Sequence, residues 1–529
     1  MRKRVTATVF VAILLALPLA ACGRPAPAQS VPDGAQAGDL LLEPCTYEAG
    51  KVKYEADSGT LIVPENRSNP GSRLIALPVV RIRATGSESA EPILWLAGGP
   101  GQSNIGFEYR PSLLVNHDFV MVGYRGADGS VVLDCPEVNQ AIKGVGDDAL
   151  SVASLDHVAS AMRQCAERLQ GEGVDLGGYT IPEVVEDMEA ARVALGYERV
   201  NLLSESYGTR VAQIYATLHP ESVYRSAMIG VNPPGHFVWE PETIDAQLAT
   251  YAGLCAQDAA CSGRTGDLAE TMRRVAHAMP RRWLLLPIDP GKVRIVTFMM
   301  LFHRNTAAMV FDTYLAADAG DPSGLALMSL AYDFIMPSVF TWGDLLAKGG
   351  SADYDPARDY RATLDPPGSI IGSPTGLLIW GSASQGWPIK PIPDELRQVH
   401  TSEVGTLLVS GSVDFSTPPQ FARDELLPTL PNGRQVILAE MGHTDDVRNV
   451  QPEATERLLN SFFDTGVADD SLYTYEPMDF SVGMGFPALT KIALGAVAAL
   501  ILVVALVIWL VVRKIARRRA TQRTVQRIS

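Results

Sequence analysis

Short apolar runs bounded by turn residues recur along the chain. Leu61-Ile62-Val63 and Leu74 to Ile82 are rich in β-formers and are separated by Asn66-Arg67-Ser68-Asn69-Pro70-Gly71. Pro92-Ile93-Leu94-Trp95-Leu96 is continuously apolar and stops at Gly98-Gly99-Pro100-Gly101, and Phe119 to Val122 repeats the pattern before Gly123. Runs without polar alternation predict strands buried on both faces, as in a parallel sheet. Thr180 with Glu183 reads as a capping box opening a helix whose apolar face (Val184, Val185, Met188, Leu195) ends at Gly196. A strand at 200–203, a sharp turn Ser204-Glu205-Ser206-Tyr207-Gly208 and a helix bearing Val211, Ile214, Tyr215 and Leu218 come next, and then a strand from Tyr224 to Val231. From about 238 to 350 the pattern is helical: Ile244 to Cys255, Leu268 to His277, Ile295 to Tyr314, Leu325 to Phe340. Sheet-like runs return at Leu377-Leu378-Ile379, 406–409 and 436–438. The expectation is an α/β fold with a mostly parallel sheet: a core over 41–235, a helical insertion over 236–370 and the rest of the core over 371–465.

The two ends change the picture. Arg2-Lys3-Arg4, an apolar run from Val9 to Leu17 and then Leu19-Ala20-Ala21-Cys22-Gly23 make a secretory signal over 1–21. Its ending resembles a bacterial lipobox, which makes Cys22 a candidate for lipidation. Residues 22–40, rich in Pro, Ala and Gly, read as a tether. Residues 492–512 carry no charge over 21 positions, and at about 1.5 Å per residue they would cross a hydrocarbon core of about 30 Å. A stalk over 466–491 precedes this span, and a basic tail over 513–529 follows it.

The formal charge of −15 sharpens that topology. Setting aside the three basic residues at 2–4 and the seven after 512 leaves −25 on residues 22–512. An acidic body argues against nucleic acid as a partner, and the basic tail argues for a cytoplasmic end with the body outside the cell membrane. That compartment permits disulfides. Cys255 with Cys261 is the nearest pair and Cys135 with Cys165 the second, which leaves Cys45. No Cys-x-x-Cys or His-Glu-x-x-His occurs in the sequence, so neither metal nor cofactor is expected.

The turn at Ser206 has the form of a nucleophile elbow with Ser204 in place of the first glycine. Asp414 follows the 406–409 run and His443 follows the 436–438 run, which gives the order serine, aspartate, histidine, each after a strand. A parallel sheet gathers its site at that edge, so Ser206, Asp414 and His443 are the expected catalytic triad. Gly99 and the N–H of Tyr207 are the candidate oxyanion donors. Glu205, Gly98, Gly101 and His236 are candidates for the substrate pocket.

Leu96-Ala97-Gly98-Gly99-Pro100-Gly101, Tyr124-Arg125-Gly126-Ala127-Asp128-Gly129-Ser130, Ser204-Glu205-Ser206-Tyr207-Gly208-Thr209-Arg210 and Gly411-Ser412-Val413-Asp414 with Thr417-Pro418 resemble the proline iminopeptidase and tripeptidyl aminopeptidase family of α/β hydrolases. The resemblance covers roughly residues 40 to 465. It implies an α/β-hydrolase fold with a helical lid and a peptidase acting on the N-termini of peptides. Ala97, Ser204 and Gly123-Tyr124 depart from the proline-specific pattern. A carboxylic-ester hydrolase is the alternative, to be separated by whether the lid offers acids such as Glu240 or Glu242 to a substrate ammonium. A surface binding protein with a dead site would need a broken triad.

Overall fold

The computed structural model describes residues 30–49, 51–87, 89–107, 111–143 and 148–525. The signal segment and Cys22 lie outside them. Nine strands form one sheet: β1 (Leu40–Ala49), β2 (Val52–Pro64), β3 (Leu74–Ile82), β4 (Ile93–Leu96), β5 (Phe119–Val122), β6 (Val200–Glu205), β7 (Val223–Ile229), β8 (Gly405–Gly411) and β9 (Gly433–Leu438). Their order across the sheet is β1-β2-β3-β5-β4-β6-β7-β8-β9. β1, β2, β3 and β5 pair antiparallel, and every pairing from β5 through β4 to β9 is parallel. The pleat divides the central strands between two cores, with Leu94 and Leu96 facing one and Ile93 and Trp95 the other. Burial on both faces is why these runs lack polar alternation.

Helices α1 (Val152–Gly171), α2 (Ile181–Leu195) and α3 (Tyr207–Leu218) precede the insertion between β7 and β8. The insertion carries α4 (Pro241–Gln257), α5 (Leu268–His277), α6 (Pro290–Met300), α7 (Arg304–Asp318), α8 (Ser323–Ile335), α9 (Trp342–Leu345) with a π-helical turn over Leu346–Gly350, and α10 (Pro374–Trp380). After β9 come α11 (Thr444–Asn449), α12 (Pro452–Thr465) and α13 (Phe486–Val525).

Five local expectations are corrected. The run Leu377-Leu378-Ile379 lies inside α10, where every residue is buried, and the sheet resumes only at β8; an apolar run so short does not distinguish a strand from a fully buried helix. The end of the tether is already part of the sheet: Gly38 N–H donates to Ile62 O (2.8 Å), and β1 follows. Thr180 precedes α2 without a side-chain cap, and the Glu183 carboxylate that would complete a capping box is taken by Arg67 at 2.7 Å. The helix expected from Ile295 to Tyr314 is broken at 301–303. The expected stalk packs on the body: Met478 N–H donates to Glu440 (2.7 Å), Arg304 to Glu476 O (3.0 Å), and Phe480 stacks on Phe311 at 6.0 Å.

The stalk residues lead into α13, whose Pro487 and Thr490 are buried against the body and whose Lys491 pairs with Asp321 at 2.5 Å. Residues 486–517 of α13 are long and apolar enough to cross a membrane, and none of their apolar window is buried. Cys135 is bonded to Cys165 and Cys255 to Cys261, with Cys45 on β1 the free thiol among the described residues.

Candidate active site

Ser206 sits between β6 and α3 at φ 49 and ψ −117, a conformation that side chains rarely adopt. Three local features hold it there. Ser206 N–H donates to Ile229 O of β7 (2.9 Å), and Thr209 N–H donates back to Ser206 O (3.0 Å). A Cβ on Gly208 would lie 2.0 Å from Leu96 O, so only glycine lets α3 approach β4 this closely. Ser204 is accommodated because its buried hydroxyl donates to Ala227 O at 3.2 Å.

Asp414 follows β8 and His443 follows β9, and the two buried side chains meet with His443 Nδ1 2.8 Å from Asp414 Oδ2. The other carboxylate oxygen of Asp414 accepts the N–H groups of Ser416 (2.9 Å) and Thr417 (2.8 Å), and the Thr417 hydroxyl donates to Oδ2 at 2.9 Å. These donors fix the carboxylate and orient the imidazole. Burial alone would push the His443 ring below its ordinary pKa, but the charge and hydrogen bond of Asp414, with Glu205 and Asp445 behind, outweigh it and raise the ring above that value.

The insertion also reaches His443. The break between α6 and α7 turns Phe302 O toward the His443 N–H (2.7 Å), and the Phe302 ring meets the imidazole edge-on at 5.4 Å. Phe298 lies 4.8 Å from Trp239 and 5.4 Å from Phe415, next in sequence to Asp414, and completes an aromatic wall. Sequence reasoning placed Met299 to Phe302 in a helix interior and missed this contact; the break itself carries no Gly or Pro to signal it.

The loop after β4 lies beside the elbow. A Cβ on Gly98 would stand 3.1 Å from Ser206 Cβ. Gly99 is held at φ +67 with the Gln102 side chain where its Cβ would go, so this position requires glycine for its backbone. Tyr207 begins α3, and its buried ring meets Tyr124 edge-on at 5.6 Å.

The pocket candidates divide. Gly98 stays at the serine. Glu205 is buried and pairs with Arg448 at 3.2 Å, so its carboxylate is already matched. Gly101 faces the insertion: its N–H donates to Asp344 Oδ2 (2.9 Å) and its carbonyl accepts from Thr341 N–H (2.8 Å). His236 is committed elsewhere, with Nε2 2.8 Å from Glu425 and its ring stacked on Phe421 at 3.7 Å. Glu240 is held bidentately by Arg358 at 2.6 and 2.7 Å.

A family model described as the alpha/beta hydrolase fold matches residues 91–260. Among characterised proteins, the tripeptidyl aminopeptidase of Streptomyces lividans is 30% identical over 459 residues, which cover 79% of this chain and 83% of that one. The serine protease Hip1 of Mycobacterium tuberculosis is 27% identical over 428 residues, covering 71% and 80% of the two chains. A solved serine hydrolase from Cycloclasticus zankles has 13% identity and a TM-score of 0.34, covering 81% of this chain and 100% of its own. An identity of 30% sustained over most of both chains, on a sheet whose C-terminal edge presents serine, aspartate and histidine, settles the relationship: the protein is a serine hydrolase and belongs to the tripeptidyl aminopeptidase family of α/β hydrolases.

Proposed function

We propose that the protein is a membrane-anchored peptidase that releases residues or short peptides from the N-termini of peptides on the outer side of the membrane. The observation that carries this reading is the strained Ser206 at the same sheet edge as a buried Asp414–His443 pair, in a chain whose relatives are named as peptidases.

In the proposed reaction, Ser206 Oγ attacks the scissile carbonyl carbon while His443 takes its proton. Asp414 occupies Nδ1, which leaves Nε2 for that transfer, and it stabilises the imidazolium that forms. The N–H groups of Gly99 and Tyr207 receive the oxyanion. As the C–N bond breaks, His443 returns the proton to the leaving amine. Water, deprotonated in turn by His443, attacks the acyl-enzyme and releases the carboxylate and free Ser206. The insertion acts as the lid, with Phe302 pressed on His443.

Topology belongs to the same proposal. The seven basic residues after 512 favour a cytoplasmic tail and an exported body, and the lipobox-like ending Leu19-Ala20-Ala21-Cys22 favours a lipid on Cys22. Protease protection of a C-terminal tag in intact cells, together with mass spectrometry of the mature N-terminus, tests this part.

One observation favours the alternative, an ester hydrolase: Glu240 is neutralised by Arg358 and so offers no free charge to a substrate ammonium. The deciding experiment uses the purified full chain in detergent on tripeptidyl- and aminoacyl-anilides beside short-chain nitrophenyl esters, with Ser206→Ala as control. Anilide cleavage that vanishes in Ser206→Ala supports the peptidase. Cleavage of esters only gives the site to the alternative, and activity in Ser206→Ala overturns the mechanism.

A further inference from the structure

We propose that Asp344 and Lys348, a buried ion pair of the insertion, are positioning residues that latch the oxyanion loop in its working geometry. The inference rests on the assignment of Gly99 as an oxyanion donor and says what holds that donor in place.

The pair is unusual in its surroundings. Lys348 Nζ lies 2.6 Å from the Asp344 carboxylate, and both side chains are fully buried. They stand four residues apart, Asp344 in α9 and Lys348 in the π-helical turn that follows it; π-turns collect at functional positions. Burial pushes the Asp344 carboxyl up to about 6 although Lys348 pulls it back, and pushes the Lys348 ammonium down although Asp344 opposes it. Packing α9 against its neighbours could be done more cheaply with apolar side chains, so the charges call for another role.

Their remaining bonds supply it. Asp344 Oδ2 accepts the Gly101 N–H at 2.9 Å, and Lys348 Nζ donates to Arg125 O at 3.0 Å. The insertion therefore grips two neighbouring loops of the core, the one after β4 and the one after β5. The carboxylate also lies so close to Gly126 that a Cβ there would stand 2.4 Å from Asp344 Oδ1. Thr341 N–H completes the clasp by donating to Gly101 O (2.8 Å).

The other end of the oxyanion loop is held from the core side. Asn104 is fully buried, and its Oδ1 accepts the Ala97 N–H at 2.7 Å while its Nδ2 donates to Trp95 O (3.0 Å) and Val122 O (2.8 Å). Asp128 in turn accepts the N–H groups of Asn104 (2.9 Å) and Tyr124 (2.8 Å). Gly99, at φ +67, is suspended between Ala97 and Gly101, each fixed by a buried acceptor. The clasp at Gly101 comes from the insertion, so the insertion and the oxyanion donor move as one body. This gives the tyrosine-arginine-glycine segment at 124–130 a role: it presents Arg125 O to Lys348 and Asp128 to Asn104.

Two double variants of the full chain isolate the acceptor. Asp344→Asn with Lys348→Met removes both charges but keeps an oxygen for Gly101, whereas Asp344→Leu with Lys348→Met removes charge and acceptor together. Each is measured for melting temperature, for the fraction of Ser206 titrated by a fluorophosphonate, and for kcat per titrated site and KM. The latch predicts that the Leu/Met variant loses on the order of 10²-fold in kcat per site with KM within about threefold, as for loss or displacement of an oxyanion donor, and that the Asn/Met variant recovers to within about fivefold of the parent. A merely structural pair would lower the titratable fraction and leave kcat per site intact. The proposal is overturned if the Leu/Met variant keeps its kcat, or if both doubles fall equally. Should Leu/Met not fold, Thr341→Pro, compatible with φ −75, replaces the N–H on Gly101 O by a ring carbon and so both breaks and displaces the other half of the clasp. A loss of about tenfold in kcat is expected there, and none would overturn the latch. Ser206→Ala reports separately on the underlying mechanism, because that reading fails if Ser206→Ala stays active, whatever the latch variants do.

Discussion

Gly230, directly after β7, offers a test of the proposed general base that removes none of the reacting groups. Its φ is +64, and a Cβ there would stand 2.9 Å from His443 Cε1, 3.1 Å from His443 Nδ1 and 3.0 Å from Thr444 Cγ2. Ordinary carbon contacts begin near 3.5 Å, so in Gly230→Ala the ring must retreat by about 0.6 Å or more. It has little freedom to do so. Nδ1 is held by Asp414 at 2.8 Å, the His443 backbone N–H by Phe302 O at 2.7 Å, and the ring by its T-shaped contact with Phe302. Whatever motion occurs lengthens the Asp414 bond or turns Nε2 from Ser206. With about 10²-fold lost per ångström of misplacement, kcat falls by about 10- to 30-fold. The alanine at positive φ adds about 1–2 kcal/mol of instability. Gly196→Ala is the matched control, because φ there is +78 and the new Cβ meets nothing within 4 Å. Both variants should lose a few degrees of melting temperature, but only Gly230→Ala should lose kcat per fluorophosphonate-titrated site. A folded Gly230→Ala with kcat within twofold of the parent would refute the reasoning, since His443 would then not be where the chemistry needs it.

Four further outcomes are expected. A protonated imidazole cannot accept the Ser206 proton, so kcat/KM rises with pH through the His443 pKa, with its midpoint above the ordinary 6.5 because Asp414 raises it. In Asp414→Asn burial dominates, so a stopped-flow pH profile should show the midpoint moved down and kcat reduced by about 10⁴-fold. Cys135 and Cys165 are 30 residues apart and Cys255 and Cys261 are 6 apart. On chain entropy, replacing the first pair by serine costs about 3.5 kcal/mol and the second about 2 kcal/mol, an order that denaturant titration checks. Gly208→Ala brings a carbon to 2.0 Å from Leu96 O in a backbone contact that cannot yield, so it should give little folded protein in a solubility and thermal-melt assay.

What could be read from the sequence follows the range of each interaction. The elbow is legible because its requirements are local: a buried strand, a small residue, the serine, then a glycine that lets α3 touch β4. Asp414 and His443 are legible because a parallel sheet delivers whatever follows its strands to one edge. Contacts made across the chain leave no such trace. The Thr180-x-x-Glu183 spacing is a valid local capping pattern, yet Arg67, 116 residues away, takes the glutamate, and a charged partner outbids a backbone N–H. Glu205 beside the nucleophile invites a substrate role until Arg448 is seen against it. The same logic hides Asp344 and Lys348, whose spacing is that of an ordinary surface ion pair on a helix. Only the fold shows that this face is buried against Gly101 and Arg125, where a charge pair costs stability and is retained for the two loops it holds together. The proposed triad is therefore written in short motifs, while Phe302, Asp344 and Lys348, which reach its loops, lie in an insertion whose helical periodicity is silent about which loop it meets.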